Sequence, residues 1–378
     1  MSEFVIIGGG VIGLLVAREL ATAGAEVTLV EQGGCCRESS WAGGGIVSPL
    51  YPWRYSPAVT ALASHAQQAY PQLVMQLLDE TGIDPEFERT GLLMLDARDE
   101  QEALQWAATN GKALHAVGPS FIYDREAGLA SGFGRGLWMP DIANIRNPRL
   151  GQALLSSLRR NPLTRIREHT RVLSLHASTT STSGGRRVSH VEVLCEGMVE
   201  QICAEQVIIT AGAWSGGLLE TLDVSLPVVP VKGQMLLFRP PRRLIDTIVL
   251  TDGRYLIPRR DNYLLMGSTL EHTAFDKSTT DEALQSLRRS AEALLPALAE
   301  CRVERQWAGL RPGAPDGVPF IGRVPGIDNV YVNAGQYRNG LVLAPASAQL
   351  LADIVLGRRP SVDPGPYDPI LRSASTPC

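Results

Sequence analysis

Three glycines near the start of the chain have the spacing of a phosphate-binding turn. Gly8, Gly10 and Gly13 follow the apolar run Phe4–Ile7 and precede an apolar stretch with helical character that extends to Ala23. Glycines at these positions allow a tight turn, close approach of the backbone to a pyrophosphate, and close packing of the helix on the strand. The N–H groups at the start of the helix can then bind the phosphates. The sequence therefore predicts a dinucleotide-binding unit.

An acidic residue closes this unit. The second apolar run, Glu26–Val30, is followed by Glu31, eighteen residues after Gly13. A carboxylate at this position can accept hydrogen bonds from a ribose and repels a 2′-phosphate. The same fingerprint serves FAD and NAD, so these residues alone leave the choice of dinucleotide open.

A loop rich in small residues follows the acid. Ser39–Pro49 contains the three consecutive glycines Gly43–Gly45, and glycines let the main chain lie against a flat ring with no Cβ in the way. The alternative is a flexible surface loop. Trp41 and the pair Ile46-Val47 interrupt the small residues, which favours a packed loop that faces a ligand.

Composition restricts the class of protein. The chain has 378 residues, of which 44% are hydrophobic and 20% charged, as in ordinary globular proteins of two or three domains. A net charge of −4 does not favour nucleic acid or an anionic membrane as a partner, and no apolar run is long enough for a membrane span. The six cysteines have no CxxC spacing, so we expect reduced thiols and a cytoplasmic protein. The six histidines are not at ligand spacing, and we predict no metal site.

The expected elements alternate between helix and strand at both ends and in the middle of the chain. We predict a helix over 56–81 that is kinked or broken at Pro71, and a helix from Asn147, the expected N-cap, to Arg160. Residues 165–175 are predicted to form one strand, and 178–187 a mobile hairpin tip. The pattern from 228 to 266 is purely β and predicts an antiparallel sheet.

Two later stretches repeat the layout of a strand, small residues and a helix. They are Gln206–Trp214 and Val330–Gly340, and the second leads into a helix expected to extend to Leu356. The N-terminus of that helix would carry a partial positive charge, which stabilises negative charge on a ligand above the sheet. Each stretch alone could be an ordinary structural connection, whereas both together with the N-terminal fingerprint favour one large ligand site.

Five stretches resemble the D-amino-acid oxidase family of FAD-dependent oxidoreductases. They are Gly8–Gly13 with Glu31, Ser40–Pro49, Val207–Trp214, Trp307–Gly313 and Ala334–Pro345. Within the family, the resemblance is strongest to the glycine-oxidising branch that is associated with thiamine biosynthesis in bacteria. It covers nearly the whole chain, to about Pro360.

The resemblance implies particular site residues. Arg311 and Arg338 would hold the substrate carboxylate, and Tyr255 would line the substrate pocket; for each residue, the alternative is a structural role. The implied cofactor-binding residues are Gly8, Gly10, Val11, Ile12, Gly13, Glu31, Gln32, Glu38, Ser39, Gly43, Gly44, Gly45, Val172, Gln336, Tyr337, Arg338, Asn339, Gly340, Leu341 and Val342. No residue is expected to act as an acid or base, because the flavin accepts a hydride.

This chain differs from particular members of the family at two places. The sarcosine-oxidising branch attaches its flavin to a cysteine near the last motif, and residues 334–338 contain none, so we expect non-covalent FAD. Some glycine-oxidising members have a histidine two residues before the pocket tyrosine. This chain has Gly253 there, which predicts a wider and less polar pocket.

The resemblance predicts an α/β fold with a discontinuous Rossmann-type FAD-binding domain and an antiparallel, β-rich substrate domain with flanking helices. We assign 1–85, 146–225 and 305–365 to the first domain, 86–145 and 226–304 to the second, and 366–378 to a loose tail. The implied reaction is oxidative deamination of glycine and small amino acids or amines, with O2 as electron acceptor. The implied assembly is a homo-oligomer, a tetramer in relatives.

Two alternatives remain at this point. One is a dehydrogenase for D-amino acids or secondary amines that passes electrons to a quinone or a partner protein. The other is a flavoprotein without catalytic activity.

Overall fold

The structure, a computed structural model, describes residues 2–179 and 185–373. Its strands are β1 (Ser2–Ile7), β2 (Val27–Val30), β3 (Glu88–Arg89), β4 (Leu92–Leu95), β5 (His115–Val117), β6 (Gly136–Met139), β7 (Ala143–Asn144), β8 (Thr164–Arg167), β9 (Thr170–Thr179), β10 (Arg186–Cys195), β11 (Met198–Ile209), β12 (Val229–Arg239), β13 (Ile248–Thr251), β14 (Arg254–Pro258), β15 (Leu264–Gly267), β16 (Arg302–Gly313), β17 (Phe320–Arg323) and β18 (Val330–Ala334). Its helices are α1 (Val11–Thr22), α2 (Ser39–Ala42), α3 (Pro57–Thr81), α4 (Glu100–Thr109), α5 (Pro119–Arg125), α6 (Asn147–Arg160), α7 (Ser215–Glu220), α8 (Asp281–Leu294), α9 (Gly340–Val355) and α10 (Pro369–Ser373).

The first sheet carries the N-terminal fingerprint. Its order is β17-β18-β11-β1-β2-β8, and β1 pairs in parallel with both β2 and β11. Alternate residues of β1 enter two different cores, because Phe4 and Ile6 pack with helices α1, α3, α6 and α9, whereas Val5 and Ile7 pack in the cluster on the opposite face. The neighbours from β18 to β8 are parallel, and such strands covered on both faces are the expected setting for a dinucleotide site at their carboxyl ends.

The second sheet has the order β16-β12-β15-β14-β13-β4-β6-β5. Its neighbours are antiparallel except for β13 and β4, which pair in parallel from Ile248 and Leu92 onward. The antiparallel sheet predicted over 228–266 is confirmed for β12 to β15, and the parallel pair joins that stretch to a strand outside it. Strand β4 comes from a distant part of the chain, so no hairpin fixes its direction relative to β13.

The predicted strand over 165–175 is two strands. β8 pairs with β2 at the edge of the first sheet, and β9 begins a hairpin with β10. Between them His169 adopts a positive φ of 53°, and its N–H donates to the Gly33 carbonyl at 2.9 Å. This long-range bond ends β8, which a local pattern could not indicate. The expected mobile tip falls largely on 180–184, outside the described residues.

Helix α3 is not broken at Pro71, contrary to one form of the prediction. Tyr70 and Leu73 flank the proline, and both are buried in the same core as α9. Proline has no N–H, so the helix lacks one backbone hydrogen bond there. Packing on both sides of the proline compensates for that loss.

The tail is packed where the structure describes it. Tyr367 is buried and its hydroxyl donates to the Ala58 carbonyl at 2.7 Å, while Arg372 donates to the carbonyls of Val318 and Pro319. The prediction of a loose tail is therefore wrong through residue 373, and 374–378 lie outside the described residues.

One expected domain boundary divides a strand. β16 pairs with β12 from Arg302 opposite Arg239 to Gly313 opposite Val229, so the boundary at residue 305 cuts a continuous ladder of the second sheet. Residues 302–313 therefore belong with that sheet. Among the described helices, none is long and apolar enough to cross a membrane.

Candidate active site

A cavity of about 580 Å3 is lined by residues of both sheets. All but two of the residues expected to bind cofactor or substrate line it. They are Gly8, Gly10, Val11, Ile12, Glu31, Gln32, Glu38, Ser39, Gly43, Gly44, Gly45, Val172, Tyr255, Arg311, Gln336, Tyr337, Arg338, Gly340, Leu341 and Val342. The two others, Gly13 and Asn339, lie behind this wall.

The glycine turn is held by close backbone contacts. Gly8 has a φ of +111°, and a Cβ there would lie 2.6 Å from the Thr210 carbonyl oxygen. A Cβ on Gly13 would lie 1.9 Å from the Gly8 carbonyl oxygen, so Gly13 lets α1 approach the turn and does not itself face the cavity. Thr210, directly after β11, also donates its hydroxyl to the Gly8 carbonyl at 2.8 Å.

A serine that the sequence did not single out joins the turn to the small-residue loop. The Val11 N–H donates to the Ser40 hydroxyl oxygen at 2.9 Å. Gly10 faces the same hydroxyl, since a Cβ there would lie 3.2 Å from it. The start of α1 and the loop therefore form one continuous wall.

Glu31 is fixed by two backbone donors. Its carboxylate accepts the Gly9 N–H at 2.7 Å and the Gly33 N–H at 2.9 Å. A carboxylate offers about four acceptor positions, so Glu31 can accept further hydrogen bonds from a ligand in the cavity.

The glycine loop is held from behind by side chains of other elements. Arg259 donates to the Gly44 carbonyl at 2.7 Å and to the Asn144 amide oxygen at 2.8 Å, and Trp307 donates its indole N–H to the Ala42 carbonyl at 3.0 Å. Burial lowers the pKa of Arg259 to about 10. Because both terminal nitrogens are occupied by Gly44, Asn144 and Ile145, we interpret Arg259 as structural.

Asn147 differs from its expected role. It is the first residue of α6 rather than the N-cap, which is Arg146. Its amide nitrogen donates to the Ser40 carbonyl at 3.0 Å, which directs the side chain toward the loop instead of the helix end. Its amide oxygen is buried without a partner in the described part of the chain, and the residue lines the cavity.

The most informative side chain is Arg311 on β16. Its guanidinium is part-buried and donates to the Lys232 carbonyl at 3.2 Å, the Thr269 carbonyl at 3.3 Å and the Ser268 hydroxyl at 2.7 Å. All three acceptors are neutral, and Arg311 has no carboxylate partner among residues 2–179 and 185–373. Burial lowers its pKa, and Tyr255 nearby opposes that shift. A cation in this setting favours an anionic ligand.

Tyr255 and Arg338 occupy different surroundings. Tyr255 is buried, and its hydroxyl lies 3.4 Å from the Met235 sulfur. Its ring packs against the glycine loop, because a Cβ on Gly44 would lie 3.0 Å from its Cε2. Arg338 is exposed and has no hydrogen-bonded or ionic partner in the described ranges.

The interpretation of Gly253 is wrong. The residue lies in the two-residue turn between β13 and β14, has a φ of +74° and does not line the cavity. A Cβ there would meet nothing within 4 Å. Its presence therefore neither widens the pocket nor removes a polar group from the wall, and its positive φ accounts for the glycine.

Residues 268–280 form a strap over the cavity that the sequence did not predict. It runs from β15 to α8, and its Lys277 donates to both carboxylate oxygens of Glu38, at 2.8 and 3.0 Å. Phe275 lies against Trp214 with ring centroids 5.4 Å apart, and both line the cavity. The sequence offers only a weak signal for this strap, which is the isolated aromatic residue Phe275 in a polar stretch.

Comparison with known proteins agrees with this geometry. The family model described as FAD dependent oxidoreductase matches residues 3–354. The chain belongs to this family. Its cofactor is FAD, and its fold is the FAD-binding α/β fold of that family.

Two curated relatives are similar over nearly their full lengths. The glycine oxidase of Pseudomonas aeruginosa is 54% identical over 98% of this chain and 99% of its own length. The glycine oxidase of Pseudomonas putida is 50% identical over 97% and 98%. Among solved structures, glycine oxidase from Geobacillus kaustophilus superposes with a TM-score of 0.87, at 28% identity over 97% of this chain and 98% of that one.

The residues of the cavity fit FAD. The glycine turn leaves no room for a Cβ, Glu31 keeps acceptor capacity, and Asn147 presents a buried amide oxygen that has no partner among the described residues. Pyrophosphate, ribose and flavin each offer groups of the complementary kind.

Proposed function

We propose that this chain is an FAD-dependent amino-acid oxidase that deaminates glycine and other small amino acids or amines. The amino acid, O2 and water would yield the 2-oxo acid, ammonia and hydrogen peroxide, with glyoxylate as the product from glycine. The observation that carries the proposal is Arg311, a guanidinium in the cavity wall that is held by neutral groups and lacks a carboxylate partner in the described chain. The two Pseudomonas relatives, both glycine oxidases, support the same substrate.

Arg311 binds the substrate carboxylate in this proposal. Arginine suits that task, because its planar guanidinium can donate two parallel hydrogen bonds to a carboxylate. Tyr255, buried beside it, limits the space around Cα to a small side chain. Arg338, exposed at the rim, attracts the anionic group and contributes less once the substrate is bound.

The proposed cofactor residues are the glycine turn, Glu31 and Gln32, the loop from Glu38 to Gly45, Val172, and the turn from Gln336 to Val342. Bound FAD supplies an acceptor for the hydride of the substrate Cα, so the protein needs no strong general base. The protein orients the substrate and excludes water from the reacting carbon. The substrate nitrogen must be unprotonated, because its lone pair forms the imine that water then hydrolyses.

The FAD is proposed to be non-covalent. Among the described residues that line the cavity, Cys36 is the one cysteine, and its N–H donates to the Gly9 carbonyl at 2.8 Å, beside the glycine turn. Burial raises the pKa of its thiol to about 12. A thiol that stays protonated is a poor nucleophile, and this one lies beside the phosphate turn rather than the substrate.

The wider setting is also a proposal. The bifunctional protein ThiO/ThiG of Trichormus variabilis is 28% identical over 99% of this chain and 56% of its own length, and its name supports a link to thiamine biosynthesis. We propose a cytoplasmic homo-oligomer, a tetramer by analogy. The free thiols of Cys35 and Cys36 are in keeping with a reducing compartment.

A substrate panel tests the reaction class. The purified holoenzyme is supplied with glycine, sarcosine, small D-amino acids and D-proline in air, while peroxide, ammonia and 2-oxo acid are measured together. We expect equal amounts of all three products from glycine. Substrate consumption that requires an added quinone and releases no peroxide would favour a dehydrogenase instead.

A further inference from the structure

We propose that Ser268 is a second carboxylate-binding residue, which fixes the orientation of Arg311 and donates its own hydroxyl hydrogen to the substrate carboxylate. Gly233 provides the space in which Arg311 takes this orientation. The inference rests on the proposed function, since it assigns a partner to the carboxylate of the same substrate.

Arg311 is held through its two terminal nitrogens. Its Nη1 donates to two main-chain carbonyls, those of Lys232 and Thr269, and its Nη2 donates to the Ser268 hydroxyl. These three bonds account for three of the five guanidinium hydrogens. One hydrogen on Nε and one on Nη2 remain for other partners, among them the nearby Tyr255 and the carboxylate of a ligand, which arginine can hold with two parallel bonds.

Of the three acceptors, Ser268 forms the shortest bond. It is 2.7 Å long, compared with 3.2 and 3.3 Å for the two carbonyls. Ser268 is also the one of the three whose side chain makes the contact, and it lines the cavity together with Tyr255. It is therefore the group that can be changed by substitution without altering the backbone.

The hydroxyl hydrogen of Ser268 is available for a ligand. The oxygen accepts from Arg311, and no acceptor for its hydrogen occurs in the described parts of the chain. A hydroxyl both donates and accepts, so Ser268 can accept from the arginine and donate to the carboxylate that the arginine binds. Hydrogen bonds to a charged group contribute more than those between neutral groups.

Gly233 on β12 explains why the guanidinium fits. A Cβ at this position would lie 2.2 Å from both Nη1 and Nη2 of Arg311. Such a contact is too short, and the flexible end of the arginine would move before the strand does. A methyl group at residue 233 should therefore redirect Arg311 without removing any polar atom from the site.

The test compares four forms of the holoenzyme: wild type, Ser268→Ala, Gly233→Ala and Ser278→Ala. Ser278 is the matched control, because it lies on the same strap and its hydroxyl donates to Asp276 rather than bonding to Arg311. KM and kcat for glycine, the Kd of acetate measured from the change in flavin absorbance, and the Kd of FAD for the apoprotein are determined for each.

For Ser268→Ala we expect KM for glycine and Kd for acetate to rise together by about tenfold or more, the size of one lost hydrogen bond to a charged group. The kcat and the Kd of FAD should stay within about twofold of wild type. Gly233→Ala should raise KM for glycine and Kd for acetate further, since it displaces the arginine itself. Ser278→Ala should change none of the four quantities.

Unchanged acetate binding in Ser268→Ala would overturn the inference. Equal losses of FAD affinity and kcat in Ser268→Ala and Ser278→Ala would also overturn it, because they would show that the strap only needs to stay folded. Weaker acetate binding in Ser268→Ala of a protein that does not oxidise glycine would support the carboxylate site while overturning the proposed reaction.

Discussion

Arg311 and Arg338 both line the cavity, but their surroundings differ. Arg311 is part-buried and held by three acceptors, whereas Arg338 is exposed and has no partner in the described ranges. The strength of an ionic contact depends on how well water is excluded, so the two arginines should contribute unequally to substrate binding.

At this scale we predict the effect of removing each arginine. Arg311→Ala should lower kcat/KM for glycine by about 30- to several-thousand-fold, from roughly 2–5 kcal/mol for a lost partner of a buried charge pair. Arg311→Lys should retain more kcat/KM than Arg311→Ala but less than wild type, because an ammonium cannot reproduce the planar guanidinium. Arg338→Ala should lower kcat/KM for glycine by a smaller factor than Arg311→Ala does. Steady-state kinetics with glycine over a range of concentrations measures all three.

The control for these variants is the stability of the holoenzyme. Arg311 has no ion pair to lose among the described residues, so FAD content and Tm should stay near wild type in Arg311→Ala. A variant that loses its flavin or unfolds, while the remaining holoenzyme keeps normal kcat/KM, would make Arg311 a structural residue and remove the basis of the substrate assignment.

At the scale of the elements, the sequence predicted local structure well and long-range contacts poorly. The β pattern of 228–266 predicted the strands β12 to β15, and the glycine spacing predicted α1 and its turn. The break between β8 and β9 was missed, because it depends on a bond from His169 to Gly33 that no local pattern contains. The pair Asp252-Gly253 between two apolar runs is a hairpin signal, so the sequence could have placed Gly253 in a turn.

Glu31 holds the turn between β1 and α1, and we predict that FAD affinity depends on it. Glu31 holds the N–H groups of Gly9 and Gly33, so Glu31→Ala leaves two donors without a partner and removes the expected ribose acceptor. We expect FAD affinity to fall by about 1.5–3 kcal/mol. Titration of the apoprotein with FAD, followed by flavin fluorescence, measures the change. The matched control is Glu26→Ala, an exposed acid before β2, and equal affinities in both variants would exclude Glu31 from the site.

At the scale of the whole molecule, the site exists only where the two sheets meet. Gly8 and Glu31 come from the first sheet, and Tyr255 and Arg311 come from the second. The resemblance to the family predicted which residues would meet, since the chain alone separates them by hundreds of positions. It did not predict the strap, because the Lys277–Glu38 pair depends on how the two parts of the chain lie against each other.

The most direct test of the central claim is anaerobic mixing of the purified holoenzyme with glycine. If the cavity holds FAD and Arg311 directs the glycine carboxylate, the yellow colour of oxidised flavin should disappear without any added mediator. Admission of air should restore the colour with release of one peroxide for each glycine consumed. A flavin that stays oxidised with glycine, although dithionite reduces it readily, would contradict the account.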